Sequence, residues 1–518
     1  MRPGLFSRLC RHRLINASFE STDSPVKTKR LLVCWMVASL CLSVPARAVI
    51  LYGTADPAAN TTAPTGILTG SGWQYEGQFG IYLGTPIASN YFITAKHIGG
   101  SIGQTISFGG TNYTTTAVFP DPASDLQIWK IAGTFSSQAP LYGGAAGSEV
   151  DLSLVVIGRG TQRGDPLFVG GDSHLGGWLW GTNDHVQRWG TNVTDSIVTD
   201  STYGKLLRAP FDMSAGPNEA QLSGGDSGGA AFVFNSASTQ WELAGINLAV
   251  DGPFSTSSSG TNQFNAAIFD SIGLFSQDNF GNWVSAPNPS AFYATEIAAH
   301  RGFIESTVMQ LASVVSRKVH GNAGTFDVDL PETGAPGIEC RSAGPGNSHM
   351  VVFTFANNVS VQGATVSAGT GSAGNFTVVG KQVTVNLSGV TNAQTMVVKL
   401  LGVSDGTNTS DVEATMVLLL GDTSRNGAVN STDISQTQSQ SGQPVTSANF
   451  REDVTVNGSI NSSDIALVQS QSGTGLSAAQ AQTTLEISAP NFLIRPLPLP
   501  PVKDSRRTKS HPGPLRQR

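Results

Sequence analysis

From about residue 70 the chain alternates apolar and polar positions in short runs. "FGIYL" at 79–83, "YFITA" at 91–95, "LQIWKI" at 126–131 and "SLVVIG" at 153–158 predict β-strands, since residues two apart share one face of a strand. Gly, Asn and Ser separate these runs, as turns require. In "ATEIAAHRGFIESTVMQLAS", 294–313, the rhythm changes. There Ile297, Ala298, Phe303, Ile304, Val308 and Leu311 recur near helical spacing, which predicts an amphipathic helix. Alternation returns between 320 and 420 in "HMVVFTF", "FTVVGKQVTVNL", "TMVVKLLGV" and "ATMVLLL", at intervals suited to a β-sandwich. No cluster of His, carboxylates or Ser/His pairs marks that stretch, so it reads as a spacer or binding module.

The two ends break the pattern. Residues 1–48 form a leader in which Lys27, Lys29 and Arg30 precede an apolar stretch, Leu31 to Val44, and the small-x-small triplet Ala46-Arg47-Ala48. That arrangement predicts a signal peptide cleaved to leave Val49 first. The apolar stretch is shorter than the roughly 20 residues of a membrane helix, so no membrane span is expected. The last segment, "IRPLPLPPVKDSRRTKSHPGPLRQR", is Pro-rich and basic, and 476–518 is expected to be a disordered tail.

A length of 518 residues implies about three domains. The formal charge of −6 conceals basic ends: residues 49–494 hold 15 Lys/Arg against 33 Asp/Glu, a net of −18. An acidic, dispersed surface supports solubility and excludes a nucleic-acid role. Of four cysteines, three lie in the leader, so the mature chain holds one thiol, Cys340, and no internal disulfide.

Against this background "SGGDSGGAAF", 223–232, stands out: one serine between an aspartate and glycines, directly before an apolar run. A serine hydroxyl is a weak nucleophile until a base takes its proton and a third group holds that base. Of eight histidines, only His97 has a suggestive context, following a β-run in "YFITAKHIGG". The carboxylate must then come from "DPASDLQIWKI". Asp125 directly precedes a strand, whereas Asp121 before Pro122 reads as a turn residue, so Asp125 is favoured.

His97 in "ITAKH", Asp125 in "SDLQIWKI" and Ser227 in "GGDSGGA", in that order, resemble the chymotrypsin/trypsin family of serine peptidases. "GTPIASNYFITAKH" resembles that family's strand pair before its histidine, and "WELAGINLAV" its cleft strand after the serine. The resemblance implies catalytic roles for His97, Asp125 and Ser227, and an oxyanion hole from the N–H groups of Gly225 and Ser227. It puts Gln221, six residues before the serine, at the base of the substrate pocket, where an uncharged residue argues against a strong Lys/Arg preference. It also implies that Asp226 is buried and pairs with a new α-ammonium, which cleavage after Ala48 would supply at Val49.

"DTSRNGAVNSTD" (422–433) and "DVTVNGSINSSD" (453–464) repeat at a spacing of 31 residues. Each offers oxygens at positions 1, 3, 5, 7 and 12 with Asn-Gly at the turn, a pattern that suits Ca²⁺. The loops, followed by "ISQTQSQSG" and "IALVQSQSG", resemble the duplicated loops of type I dockerins. By that resemblance the ligands are Asp422, Ser424, Asn426, the Ala428 carbonyl and Asp433, then Asp453, Thr455, Asn457, the Ser459 carbonyl and Asp464. A cohesin-like or cell-surface partner is implied.

The expectation is therefore a mainly β protein. It comprises a leader (1–48), a two-barrel chymotrypsin-like domain (49–315), a β-sandwich (320–420), a small α-helical dockerin-like calcium module (421–475) and the tail. Its expected function is that of a secreted serine endopeptidase acting on protein or peptide substrates, of bacterial type by resemblance. The alternative is a catalytically inactive, peptidase-like surface binding protein.

Overall fold

The computed structural model describes residues 49–171, 174–213, 215–331, 335–476 and 495–497. The leader and most of the tail lie outside the described residues.

The first half supplies a closed six-stranded barrel: Gly77–Phe79, Tyr82–Ala88, Tyr91–Ala95, Leu126–Ile131, Thr111–Pro120 and Thr105–Phe108, in that spatial order. Aromatic and β-branched residues fill it, with Phe79, Phe92, Ile106, Phe108, Trp129 and Phe135 forming one buried cluster. The second half was expected to close likewise. Its main sheet instead has seven strands in an open path from Arg188–Val193 to Ser196–Asp200, with an eighth, Arg495–Pro496, paired off that path with Gln240–Val250. The reason lies at the Arg188–Val193 edge, where irregular chain takes the free backbone groups. Thr191 donates its N–H to Asn218, and the Asn192 amide donates to the carbonyls of Pro210 and Ala220.

The helix expected over 294–313 is shorter. Ala291–Glu296 is a strand in the eight-stranded sheet, the α-helix covers Arg301–Met309, and Leu311–His320 is already a strand of the next sheet. Helical spacing in the sequence persisted across a strand–helix–strand boundary because all three elements bury apolar residues on one side. The helix ends at Met309, before the next sheet begins at Leu311.

Beyond it lie a five-stranded and a four-stranded sheet. Alternate residues of both, among them Val351, Phe353, Val385, Val398, Leu400 and Met416, enter one buried cluster. Two short helices follow, Ser431–Gln440 and Ser462–Ser470. Each is capped reciprocally, Asn430 with Asp433 and Asn461 with Asp464. This helical unit packs on the sheets through buried polar contacts. His320 Nδ1 lies 2.9 Å from Asp453 Oδ2, and Arg451 donates to the Ile338 carbonyl at 2.9 Å. The Cys340 thiol is buried there and unpaired, pushed up to about 11 by burial.

Candidate active site

The register of two barrel strands brings His97 and Asp125 together. Tyr91–Ala95 and Leu126–Ile131 run antiparallel, with Ala95 opposite Leu126. The residues just past one strand and just before the other must therefore meet. His97 stands on a single 3₁₀ turn, Lys96–Ile98, beyond the first strand. Its Nδ1 lies 2.6 Å from Asp125 Oδ2, and its backbone N–H donates to Asp125 Oδ1 at 3.0 Å. With the ring proton on Nδ1, Nε2 is left as an acceptor. It faces Ser227 Oγ at 2.8 Å.

Ser227 comes from the other half of the molecule, on the loop before the strand Ala230–Asn235. The glycines allow that approach. Gly228 has φ +76°, and a Cβ there would fall 2.2 Å from Thr94 Oγ1 and 2.9 Å from the Leu83 carbonyl. The Thr94 hydroxyl is already committed to that carbonyl, at 2.8 Å. The serine loop thus sits directly against the strand that leads to His97.

Asp226, beside the serine, is fully buried. It accepts from the Gly160 N–H at 2.6 Å, from the Ser223 N–H at 2.8 Å and from the Ser223 hydroxyl at 2.9 Å. The N–H of Val49 also donates to it. Burial pushes its carboxyl up to about 6, against the opposing pull of these donors. Val49 and Ile50 are themselves buried, and Ile50 pairs with Gln221 across a short two-stranded ladder.

Among the described residues, the loop leaves the N–H groups of Gly224, Gly225 and Ser227 without an acceptor. The N–H groups of Asp226, Gly228 and Gly229 all find carbonyl partners. Sequence reading did not single out Asn183, which donates its side-chain amide to the Gly224 carbonyl at 3.1 Å. A trans peptide points its N–H opposite its C=O, so this bond turns the Gly225 N–H away from Asn183. No local motif marks Asn183; it lies 41 residues before Gly224 and meets it only through the fold.

Asp121, the discarded candidate, is also paired. Its Oδ2 lies 2.7 Å from His300 Nδ1, and it is fully buried. Burial raises its carboxyl, but the contacts with His300 and Ser124 outweigh that and hold it below the usual range. Gln221 is buried as well. Its Nε2 reaches Ser290 Oγ at 3.3 Å, while its Oε1 accepts the Leu222 N–H.

The two repeated loops have one hydrogen-bond plan. Asp422 accepts from the N–H groups of Asn426 and Gly427, and Asp433 from those of Ser424 and Asn430. Asp453 and Asp464 do the same with Asn457, Gly458, Thr455 and Asn461. All four carboxylates are fully buried. Burial, with some repulsion from Asp433, raises the Asp422 carboxyl. Among the described residues no three His, Cys, Asp or Glu side chains converge as a metal cluster. Beyond its two carboxylates, each loop would have to supply hydroxyl, amide and carbonyl oxygens. That all-oxygen donor set, around two buried negative charges, fits a hard cation.

No helix among the described residues is long and apolar enough to cross a membrane. No protein-family model matches the chain, and no curated protein matches it. Among solved structures the chain is similar to the secreted serine protease VesC of Vibrio cholerae. That match is 12% identical, covers 68% of this chain and 70% of that one, and has a TM-score of 0.28. It is also similar to the passenger domain of Plasmid encoded toxin, an autotransporter enterotoxin of enteroaggregative Escherichia coli. There the identity is 14%, the coverage 45% and 22%, and the TM-score 0.28. An inactive form of Rv3671c from M. tuberculosis H37Rv matches at 15% identity over 48% of this chain and 97% of that one, with a TM-score of 0.26. These likenesses are too distant to assign an activity. The chain is mainly β, with a closed barrel whose rim carries an aspartate and a histidine, hydrogen-bonded in line to a serine from the loop before Ala230–Asn235.

Proposed function

We propose that the protein is a secreted serine endopeptidase. The observation that carries this reading is the continuous line Asp125–His97–Ser227, with contacts of 2.6 and 2.8 Å. His97 Nε2 takes the Ser227 proton as Oγ attacks a substrate carbonyl. The developing oxyanion accepts from the Gly225 and Ser227 N–H groups, for which no carbonyl among the described residues competes. His97 then gives its proton to the leaving amine, and water repeats the sequence on the acyl-enzyme. Asp125 keeps the imidazole in the tautomer that leaves Nε2 free and stabilises the imidazolium. Signal cleavage after Ala48 turns the Val49 N–H into an ammonium on Asp226, giving that buried carboxylate its cation.

The loops at 422–433 and 453–464 would bind Ca²⁺ through Asp422, Ser424, Asn426, Ala428 and Asp433, and through Asp453, Thr455, Asn457, Ser459 and Asp464. A cation held by these residues would brace the two C-terminal helices, and the module would tether the enzyme to a cohesin-like or cell-surface partner.

Labelling by a fluorophosphonate tests the enzyme reading. The intact protein should be labelled and Ser227→Ala should not. A correctly folded protein with an unobstructed cleft that takes no label would establish the inactive binding protein instead.

A further inference from the structure

The strand Gln240–Val250 outruns its neighbour Ala230–Asn235, whose register ends with Ala230 opposite Ile246. Leu248–Val250 thus has an edge free on that side, beside the serine loop. Asn247 ties this edge to the nucleophile. Its carbonyl accepts the Gly228 N–H at 3.1 Å, and its own N–H donates to the Gly229 carbonyl at 2.8 Å.

Three residues of the C-terminal tail occupy that edge. Arg495 lies opposite Val250 and Pro496 opposite Ala249, antiparallel, and the Leu497 N–H donates to the Leu248 carbonyl at 2.8 Å. Composition predicts a disordered tail; at Arg495–Pro496 it is a strand. In an antiparallel ladder successive N–H groups face opposite sides. Since Leu497 donates toward the sheet, the neighbouring position faces away, and proline there forfeits no ladder bond. The Leu497 side chain is 1% exposed, in an apolar cluster with Ala220, Leu222, Val250 and Phe292. Leu222 precedes Ser227 by five residues, at the start of the serine loop. Upstream of that pocket, Trp180, Val250, Pro253 and Phe264 line a cavity of about 320 Å³ beside Pro496.

We infer that Arg495–Leu497 lies in the cleft as a substrate-like inhibitor carried by this chain, and that the cleft selects extended peptides with proline followed by a medium aliphatic residue. The inference rests on the peptidase reading, with Leu497 in the position whose carbonyl Ser227 would attack. Backbone pairing holds the peptide by adding a strand to a sheet edge, and the apolar pocket reads its side chain. The next residue in the sequence, Pro498, explains why the occupant is not consumed. A proline nitrogen carries a ring carbon where an ordinary amide carries hydrogen, so a leucine–proline bond offers a hindered leaving nitrogen.

The test reads occupancy apart from chemistry. Full-length Ser227→Ala protein, alone and combined with Leu497→Asp or Leu497→Gly, is titrated with a fluorescent Arg-Pro-Leu-Pro peptide followed by anisotropy. Both tail variants should bind it at least about ten-fold more tightly, because a cleft open in a tenth of molecules weakens apparent affinity ten-fold. Equal binding with and without Leu497, or no binding to any variant, overturns the inference. Fluorophosphonate labelling of Leu497→Asp with Ser227 intact reports separately on the peptidase reading. Labelling faster than in the unmodified protein supports the inhibitory tail. Peptide binding without any labelling supports the docked tail while refuting the enzyme.

Discussion

Asp125 grips His97 at two points, one oxygen on the ring Nδ1 at 2.6 Å and the other on the backbone N–H at 3.0 Å. A carboxylate held this way sets both the tautomer and the tilt of the imidazole. Asp125→Asn replaces one acceptor oxygen by a donor and favours the wrong tautomer. Peptide hydrolysis should fall by about 10⁴-fold with the fold retained. Asp121→Asn serves as the contrast, since Asp121 belongs to His300. It should leave the labelling rate within a few-fold and lower the melting temperature instead, which thermal denaturation will report.

The Gly224–Gly225 peptide gives a second prediction. Gly225 has φ +100°, and a Cβ there would fall 2.4 Å from Asn183 Nδ2. Gly225→Ala should therefore abolish turnover, since the loop must shift to admit the methyl group. Asn183→Ala frees the Gly224 carbonyl and loosens the aim of one oxyanion donor. It should lower kcat by about 10- to 100-fold with KM little changed, because the lost alignment matters in the transition state.

Asp226 supplies a pH dependence. Its carboxyl is raised from 3.8 to about 6, so the folded chain holds this proton more tightly than the unfolded chain does. Its contribution is fully present below 3.8 and is lost as pH rises through about 6. In a chain whose N-terminus stays covered, Asp226→Asn should raise the melting temperature above pH 6 and change it little below pH 4. In the cleaved chain, where Val49 carries an ammonium, the same substitution should lower it. N-terminal sequencing of active protein should read Val49-Ile50. A start well inside 49–75 would refute this activation route.

Calcium should stabilise the C-terminal helical unit. At a hundred-fold excess over Kd, binding to the folded state alone adds about 2.7 kcal/mol. Chelated protein titrated with Ca²⁺ should gain helical circular dichroism and a higher melting temperature. Asp433→Asn and Asp464→Asn together should remove both effects. No response in the intact protein would refute the calcium assignment.

The alternating pattern fixed the strands of the barrel rim, because "YFITA" and "LQIWKI" each carry their burial locally. The short motifs around residues 97, 125 and 227 marked the reactive trio, because strand ends and glycine turns are written in a few adjacent residues. What depends on register was settled only in three dimensions. Local context favours Asp125 over Asp121, but it is the pairing of Ala95 with Leu126 that gives Asp125 to His97. Asn183 left no trace because its partner lies far along the chain. The tail misled for a related reason. Composition reports whether a segment can build its own core, and "RPLPLPP" cannot. Arg495, Pro496 and Leu497 borrow a pocket and a free strand edge made by others, and an unpaired edge exists only once the sheet around it has formed.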